Sequence, residues 1–450
     1  MLSSRRRIPL PPRVSGASLG IQLPGLLEER SFRLLWFGES ISTLGSQFNI
    51  VALAIVALQL GGGLSLGAVL VAAALPRAGF MLVGGWLADR TSPRRILLVA
   101  NVLRAILAGL LAIVVASGAA ELPVLALLGF MFGTVDAFFL PAVNAAVPLL
   151  VDGGRLGSAN AWLQGTAQVA ALMGPALAGG LVSASGAGPA FAINSASFVF
   201  AALAVRSIPA HAVRAHDGGS DGRGGFLEGL RYARLDVPVA IITVLATLFF
   251  FAITGPLAVG VPWLGERRFG GAAAIGVMLA AWSGGALVGA VLASKLDSVE
   301  RPGRLILSIG TGVGLSVASV SLAGALPWAT VTLAVMGIGS GILNVFVLSL
   351  IQRRVDPAVR GRVVSLLVLG TVALAPLSYA VSAVVVEAVG PFLFALAGAL
   401  IVVVSGVSFA LGAHRVIDRP RPLGSDGRQR ATVGSTSRSG AQDAADAGLR

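Results

Sequence analysis

The chain has 450 residues, of which 56% are hydrophobic and only 12% charged, with a formal net charge of +13. A soluble globular domain carries about 25% charged residues, so this composition argues against a soluble enzyme or binding module. The absence of cysteine excludes disulfides, thiolate metal sites and a cysteine nucleophile.

The mean hydropathy is +0.88, and the apolar runs are unbroken over about twenty residues, the length a spanning helix requires. A transmembrane β-barrel would show alternating segments of about ten residues instead. The expected fold class is therefore an all-α polytopic membrane protein.

Residues 1–31 hold Arg5, Arg6, Arg7 and Arg13 but no apolar stretch long enough for a signal peptide. They are expected to form a disordered cytoplasmic leader. Six spans follow, near 32–59, 65–88, 95–117, 122–150, 156–184 and 188–206. Residues 207–236 read as a cytoplasmic linker. It has a Gly- and Asp-rich centre, then Phe226–Arg234, whose apolar and charged residues at helical spacing suit a helix lying on the membrane surface. Six more spans follow near 237–262, 272–294, 303–325, 328–351, 362–386 and 390–412, then a polar tail, 414–450, expected to be disordered. Twelve transmembrane helices thus fall into two six-helix bundles, 32–206 and 237–413.

With both termini in the cytoplasm, 29 of the 33 Lys and Arg residues lie in cytoplasmic segments. That is the positive-inside asymmetry, and it accounts for the net charge without a nucleic-acid partner. An internal repeat supports the division into halves. Leu122-Pro123, Gly133 and Val151-Asp152 recur as Leu326-Pro327, Gly337 and Val355-Asp356, each displaced by 204 residues. Parallel repeats of this kind characterise one large transporter architecture.

Ionisable residues at membrane depth are costly enough to be functional by default. Glu39, Arg77, Arg104 and Asp136 are such residues, and all four lie in the first six spans. They are the proton-coupling candidates, Asp136 foremost and Glu39 second. The competing reading is static pairing, for example of Asp136 with Arg104. Gly174-Pro175 with Ala178 and Gly179 removes bulk from one face of the fifth span and permits a kink. Gly255-Pro256 offers the same in the seventh. Gln47, Asn49, Gln168, Thr254 and Asn344 are polar candidates for a substrate cavity, although each also suits an interhelical hydrogen bond. A nucleotide-binding loop is not found, and no catalytic, cofactor or metal constellation is expected.

Between the second and third spans the chain reads Gly84-Gly85-Trp86-Leu87-Ala88-Asp89-Arg90-Thr91-Ser92-Pro93-Arg94-Arg95. This stretch resembles the Gly-x-Leu-Ala-Asp-Arg loop of the major facilitator superfamily, with Ser92-Pro93 in place of the usual Gly-Arg. Phe138–Ala142, Ala159–Ala161, the Gly-Pro-x-x-Gly-Gly-like Gly174–Gly179 and Glu228–Tyr232 are similar to a bacterial efflux branch with enterobactin-exporter-like and macrolide-efflux-like members. The Arg-x-x-Gln-Gly motif of many drug–proton antiporters is absent from the fourth span. The resemblance implies a monomeric secondary transporter in a bacterial cytoplasmic membrane. It would export a small amphiphilic compound by alternating access in exchange for protons, with no cofactor. It also implies a cytoplasmic gate built from Gly85, Asp89, Arg90, Arg94 and Arg95, in which Asp89 can pair locally with Arg94 or Arg95 or reach Arg360 or Arg362 of the symmetry-related half. A loop whose arginines only hold it inside is the competing reading. Uptake or facilitated diffusion is the alternative within transport, and a non-transporting receptor or scaffold is the alternative outside it.

Overall fold

The longest helix sets the first question about topology. α1 (Leu23–Glu28) leads into α2 (Arg30–Arg90), which has 61 residues. At 1.5 Å per residue a straight α2 would be about three times as long as a hydrocarbon core is thick. The computed structural model, which describes residues 23–209, 237–296, 299–355 and 357–418, breaks it at Gly61-Gly62. Gly62 has φ 67° and ψ −151°, a conformation essentially reserved for glycine.

The neighbours of α2 show what the break does. α3 (Pro93–Ala116) and α6 (Ala187–Arg206) run antiparallel, since Arg94 meets Ile208 while Ser195 meets the Ala105 carbonyl. The first arm of α2 also runs antiparallel to α6, with Gly38 on Ala201 and Gly45 on Ser197. α4 (Leu122–Leu150) follows α3 through a short turn and so points the other way. The second arm of α2 runs parallel to α4, with Val69 against Gly129 and Ala73 against Gly133. The chain therefore reverses at Gly61-Gly62, and α2 supplies two spans.

With α5 (Leu156–Ser185) the first half has six spans. The second half begins with α7 (Val237–Gly255), a π-helical turn at Pro256–Gly260 and α8 (Val261–Arg268), together one span. α9 (Ala272–Ala293), α10 (Pro302–Val320), α11 (Leu326–Arg354), α12 (Pro357–Val389) and α13 (Phe392–Ala410) complete it. The expected twelve-helix, all-α membrane fold is present, and no strand occurs among the described residues.

The described residues cluster into two compact units. One comprises the chain up to 209 together with 261–280, and the other comprises 237–260 together with the chain from 281 onward. Within each unit glycines set the closest helix crossings, because small residues let backbones approach where no hydrophobic driving force acts between helices. In the first unit a Cβ on Gly133 would enter the Ala73 backbone of α2. In the second, a Cβ on Gly337 would enter the Trp282 backbone of α9. α4 and α11 each have 29 residues and each begins Leu-Pro. The sequence repeat is thus also a packing repeat, with the same glycine making the same crossing in both halves.

Both ends of the described chain differ from expectation. Residues 23–28, assigned to a disordered leader, form α1, because Leu26 joins Phe32 and Leu35 in the core. Residues 414–418, assigned to the tail, continue the fold through α14 (Ala413–Ile417). There the buried His414 stacks on Phe409 with ring centroids 4.4 Å apart, and the Asp418 carboxylate accepts a hydrogen bond from the Gly303 backbone at 2.6 Å. The leader through residue 22, residues 210–236 with their Phe226–Arg234 segment, and the tail beyond 418 lie outside the described residues.

Candidate functional site

The ionisable cluster in the first unit is assembled from three helices. Arg104 on α3 is only 8% exposed. Its Nε donates to Asp136 Oδ1 on α4 at 2.8 Å, and Nη2 donates to the same oxygen. The guanidinium plane lies over the Phe139 ring at 3.6 Å and beside Phe198 at 5.4 Å. Arginine suits this position because one planar group can stack and hydrogen-bond together. Glu39, on the first arm of α2, interacts electrostatically with both Arg104 and Asp136, and its carboxylate is hydrogen-bonded by Thr43 one turn along. The static partner foreseen for Asp136 is present, and Glu39 lies within electrostatic reach of that pair. Arg77, by contrast, is exposed on the second arm of α2 and stands apart from this cluster.

Two buried amides in the same unit are not among the sequence candidates. Asn101 is one turn from Arg104 on α3, and its Oδ1 has no hydrogen-bond partner among the described residues. Asn194 on α6 is fully buried, with neither Nδ2 nor Oδ1 paired among the described residues. Polar residues inside apolar runs are visible in sequence, but what faces them is not.

The loop that resembles the family signature ties helix ends together. Gly84, not Gly85, makes the close approach, since a Cβ there would enter the Ala137 backbone while the space around Gly85 is open. The Arg90 guanidinium lies over Trp86 at 4.6 Å. Arg94 donates through Nε to the Ile208 carbonyl at 2.6 Å and through Nη2 to the Arg206 carbonyl at 2.7 Å. The Arg206 carbonyl ends α6 and the Ile208 carbonyl lies just beyond it, so both sit where the helix leaves carbonyls without intrahelical partners and a cation is favoured. Arg95 is exposed. The side chains of Asp89, Arg360 and Arg362 lie outside the described part of the structure. Arg94→Ala is expected to lower stability by about 1–3 kcal/mol, because it removes two hydrogen bonds from a charged donor. Thermal unfolding in detergent measures this, with Arg95→Ala as the near-neutral comparison.

Gly174, Pro175, Ala178 and Gly179 are all buried on one face of α5. Gly174 receives the Gln47 side-chain stem, and Gly179 packs on Ala272 and Gly276. The Ser183 hydroxyl accepts from the Ala273 backbone at 3.0 Å. α5 continues through Pro175 as a single helix. Among the polar candidates of this unit, Asn49 is half-buried with Oδ1 unpaired, and Gln168 is exposed.

In the second unit the π-helical turn begins at Gly255-Pro256 for an identifiable reason. An α-helical ladder would pair the Gly255 N–H with the Phe251 carbonyl. Instead the Ser378 hydroxyl of α12 accepts from Gly255 at 2.8 Å and donates to Phe251 at 2.6 Å. A side chain inserted into the ladder is a recognised cause of helix distortion, and π-turns recur at functional sites. Ser378→Ala is expected to cost about 1–3 kcal/mol through the two backbone groups it leaves unpaired. Faster amide exchange at Gly255 would report the same loss locally.

Beside this turn lies a cavity of about 590 Å³. Phe249, Phe250 and Thr254 line it from α7 and Leu257 from the turn, with Trp282, Gly310, Asn344 and Ser405 from neighbouring helices. Two of the five residues expected to line a cavity, Thr254 and Asn344, meet here.

A duplicated six-helix unit, a buried ion-paired cluster and an apolar cavity define a polytopic helical membrane protein of the carrier class. The chain belongs to the Major Facilitator Superfamily, whose family profile matches residues 35–377. It is 29% identical over 294 residues to the enterobactin exporter EntS of Escherichia coli O1:K1 / APEC, covering 63% of this chain and 67% of that protein. It is 25% identical over 401 residues to macrolide efflux protein A of Streptococcus pyogenes, covering 86% and 97%. Among solved structures, a bacterial homologue of the iron transporter ferroportin in an inward-facing state superposes with a TM-score of 0.69 at 18% identity, covering 86% of this chain and 98% of that one. The nucleoside transporter NupG gives 0.66 at 15%, covering 87% and 100%. Those two likenesses establish the fold alone. The protein is a major facilitator transporter with efflux-type relatives.

Proposed function

We propose that this protein exports a small amphiphilic compound across a bacterial cytoplasmic membrane by alternating access, in exchange for protons. The observation that carries the reading is the group of part-buried Glu39 and Asp136 around the buried Arg104. With Glu39 within electrostatic reach of the Arg104–Asp136 pair, the three groups carry one unbalanced negative charge when both acids are ionised, and a single proton balances it. A group that is neutral with a proton and charged without one is stabilised differently in a closed and in a water-exposed packing, and so couples proton binding to conformation. Asp136 and Glu39 are the proposed loading sites. Arg104 holds the charge between them, and Arg77 has no part in the cluster.

Two relatives support the outward direction of transport, one an enterobactin exporter and the other a macrolide efflux protein. The arginine asymmetry supports a cytoplasmic position for both termini and the 90–95 loop. Residues 32–206 and 237–413 are the proposed moving bundles of a monomer, joined by 207–236. The loop residues Gly85, Asp89, Arg90, Arg94 and Arg95, with Arg360 and Arg362, form the proposed gate, and Arg94 anchors it through the end of α6.

An accumulation screen tests this reading. Cells expressing the protein are compared with a control strain against a panel of amphiphiles that includes a macrolide and a catecholate siderophore, with and without a protonophore. Lower accumulation of at least one compound, abolished by the protonophore, is expected. Raised accumulation would reverse the assigned direction.

A further inference from the structure

We infer that the second unit contains a binding site for an uncharged amphiphile, held by the cavity beside the π-helical turn. The inference rests on the reading of the chain as a carrier of a small molecule and names the class of that molecule. The cavity, about 590 Å³, falls within the roughly 300–1,000 Å³ of small-molecule sites. Every described residue lining it belongs to the second unit, and none of these is ionisable. Phe249, Phe250 and Trp282 supply flat apolar surface, which fits an aromatic or alicyclic body.

Three uncharged polar groups face this surface from three different helices. They are the Thr254 hydroxyl on α7, the Asn344 amide on α11 and the Ser405 hydroxyl on α13. None of the three makes a hydrogen bond among the described residues, whereas Ser340 beside them spends its hydroxyl on the Met336 carbonyl. Ser405 is 7% exposed, and its Oγ stands over Gly310, where a Cβ would come within 2.9 Å of it. Ser405 is buried, Thr254 half-buried and Asn344 exposed at the open side of the cavity. A buried hydroxyl ordinarily finds a partner, so Ser405 with the two groups nearer the opening forms a set of donors and acceptors for a ligand. An ion entering the cavity would shed its hydration against apolar walls with no opposite charge to replace it. A neutral molecule with a carbonyl or hydroxyl at one end loses far less and gains those hydrogen bonds. The π-turn contributes by setting Thr254 and Leu257 on the cavity wall.

Equilibrium binding to the purified full-length protein tests the site apart from transport. The probe is prodan, a neutral naphthalene ketone whose emission reports hydrogen bonding to its carbonyl. Anilinonaphthalene sulfonate serves as the anionic counterpart. Saturable prodan binding is expected, with no displacement by the sulfonate. Asn344→Leu, Thr254→Val and Ser405→Ala are each expected to weaken it about five- to tenfold, the size of one lost hydrogen bond, with a blue shift in at least one. Ser340→Phe, which fills the cavity, is expected to abolish binding. Unfolding temperatures confirm that each variant is folded, and the conservative Thr254→Val keeps the test valid if a larger change does not fold. Three conservative variants with unchanged prodan affinity would overturn the inference. So would equal binding of the sulfonate, or a stoichiometric co-purifying phospholipid that prodan fails to displace. Intact prodan binding in a protein that fails to export would remove the export reading and leave the site standing.

Discussion

Asp136→Leu is expected to destabilise the protein by about 3–5 kcal/mol, because it strands the Arg104 cation in a buried bundle. Arg104 is 8% exposed and both of its hydrogen-bonding nitrogens are directed at one Asp136 oxygen. Asp136→Asn keeps an acceptor oxygen in the same place and should cost much less. Arg104→Leu should fall between the two, since its loss also removes the stack on Phe139 but leaves an aspartate that is 25% exposed at the side chain. The double variant Arg104→Leu/Asp136→Leu should recover a large part of the stability, as apolar replacement of a buried pair often does. The cycle is read by chemical or thermal unfolding in a fixed detergent. Additive losses in the double variant would mean that the pair is not energetically coupled.

Gly337→Leu is expected to prevent the second unit from folding, and Gly337→Ala to cost about 1–3 kcal/mol through overpacking. The atoms a new Cβ would meet belong to the Trp282, Gly285 and Ala286 backbone, which cannot rotate away as a side chain can. The repeat makes a second demand. Gly133→Ala should cost a similar amount, because its Cβ would meet the Ala73 backbone in the corresponding crossing. Glycines with open space around them serve as comparison. Gly312→Ala on α10 should be neutral or slightly stabilising, since alanine is the better helix former. Gly85→Ala should be equally benign for stability despite its place in the signature loop. Expression level and unfolding temperature check the whole series.

The parts of the fold that could be read from sequence are those set by single-chain physics. Leu122-Pro123 and Leu326-Pro327 mark helix starts because proline is tolerated at a first turn, and the apolar length that follows fixes the span. The reversal inside α2 shows only as glycines in a long apolar run, because its cause is the backbone conformation of Gly62. Leu26, Ile417 and His414 were assigned to polar ends because their neighbours in sequence are polar, yet each packs against a residue from elsewhere in the fold.

The site divides in the same way. A mid-span acid and base are conspicuous wherever they occur, so Glu39, Arg104 and Asp136 could be singled out before their contacts were known. Ser378 could not, since one serine among many has no distinguishing neighbour until it enters the α7 ladder. Thr254 and Asn344 gain meaning only once Ser405 and Gly310 stand beside them.

The central claim is that protons drive export through the acids of the first unit. Proteoliposomes loaded with a compound from the accumulation screen test it most directly, in the Asp136→Asn variant beside the unsubstituted protein. An imposed pH gradient should drive net transport by the unsubstituted protein and none by Asp136→Asn, while substrate exchange without a gradient persists in both. Gradient-driven transport of equal extent in Asp136→Asn and in Glu39→Gln would contradict the account.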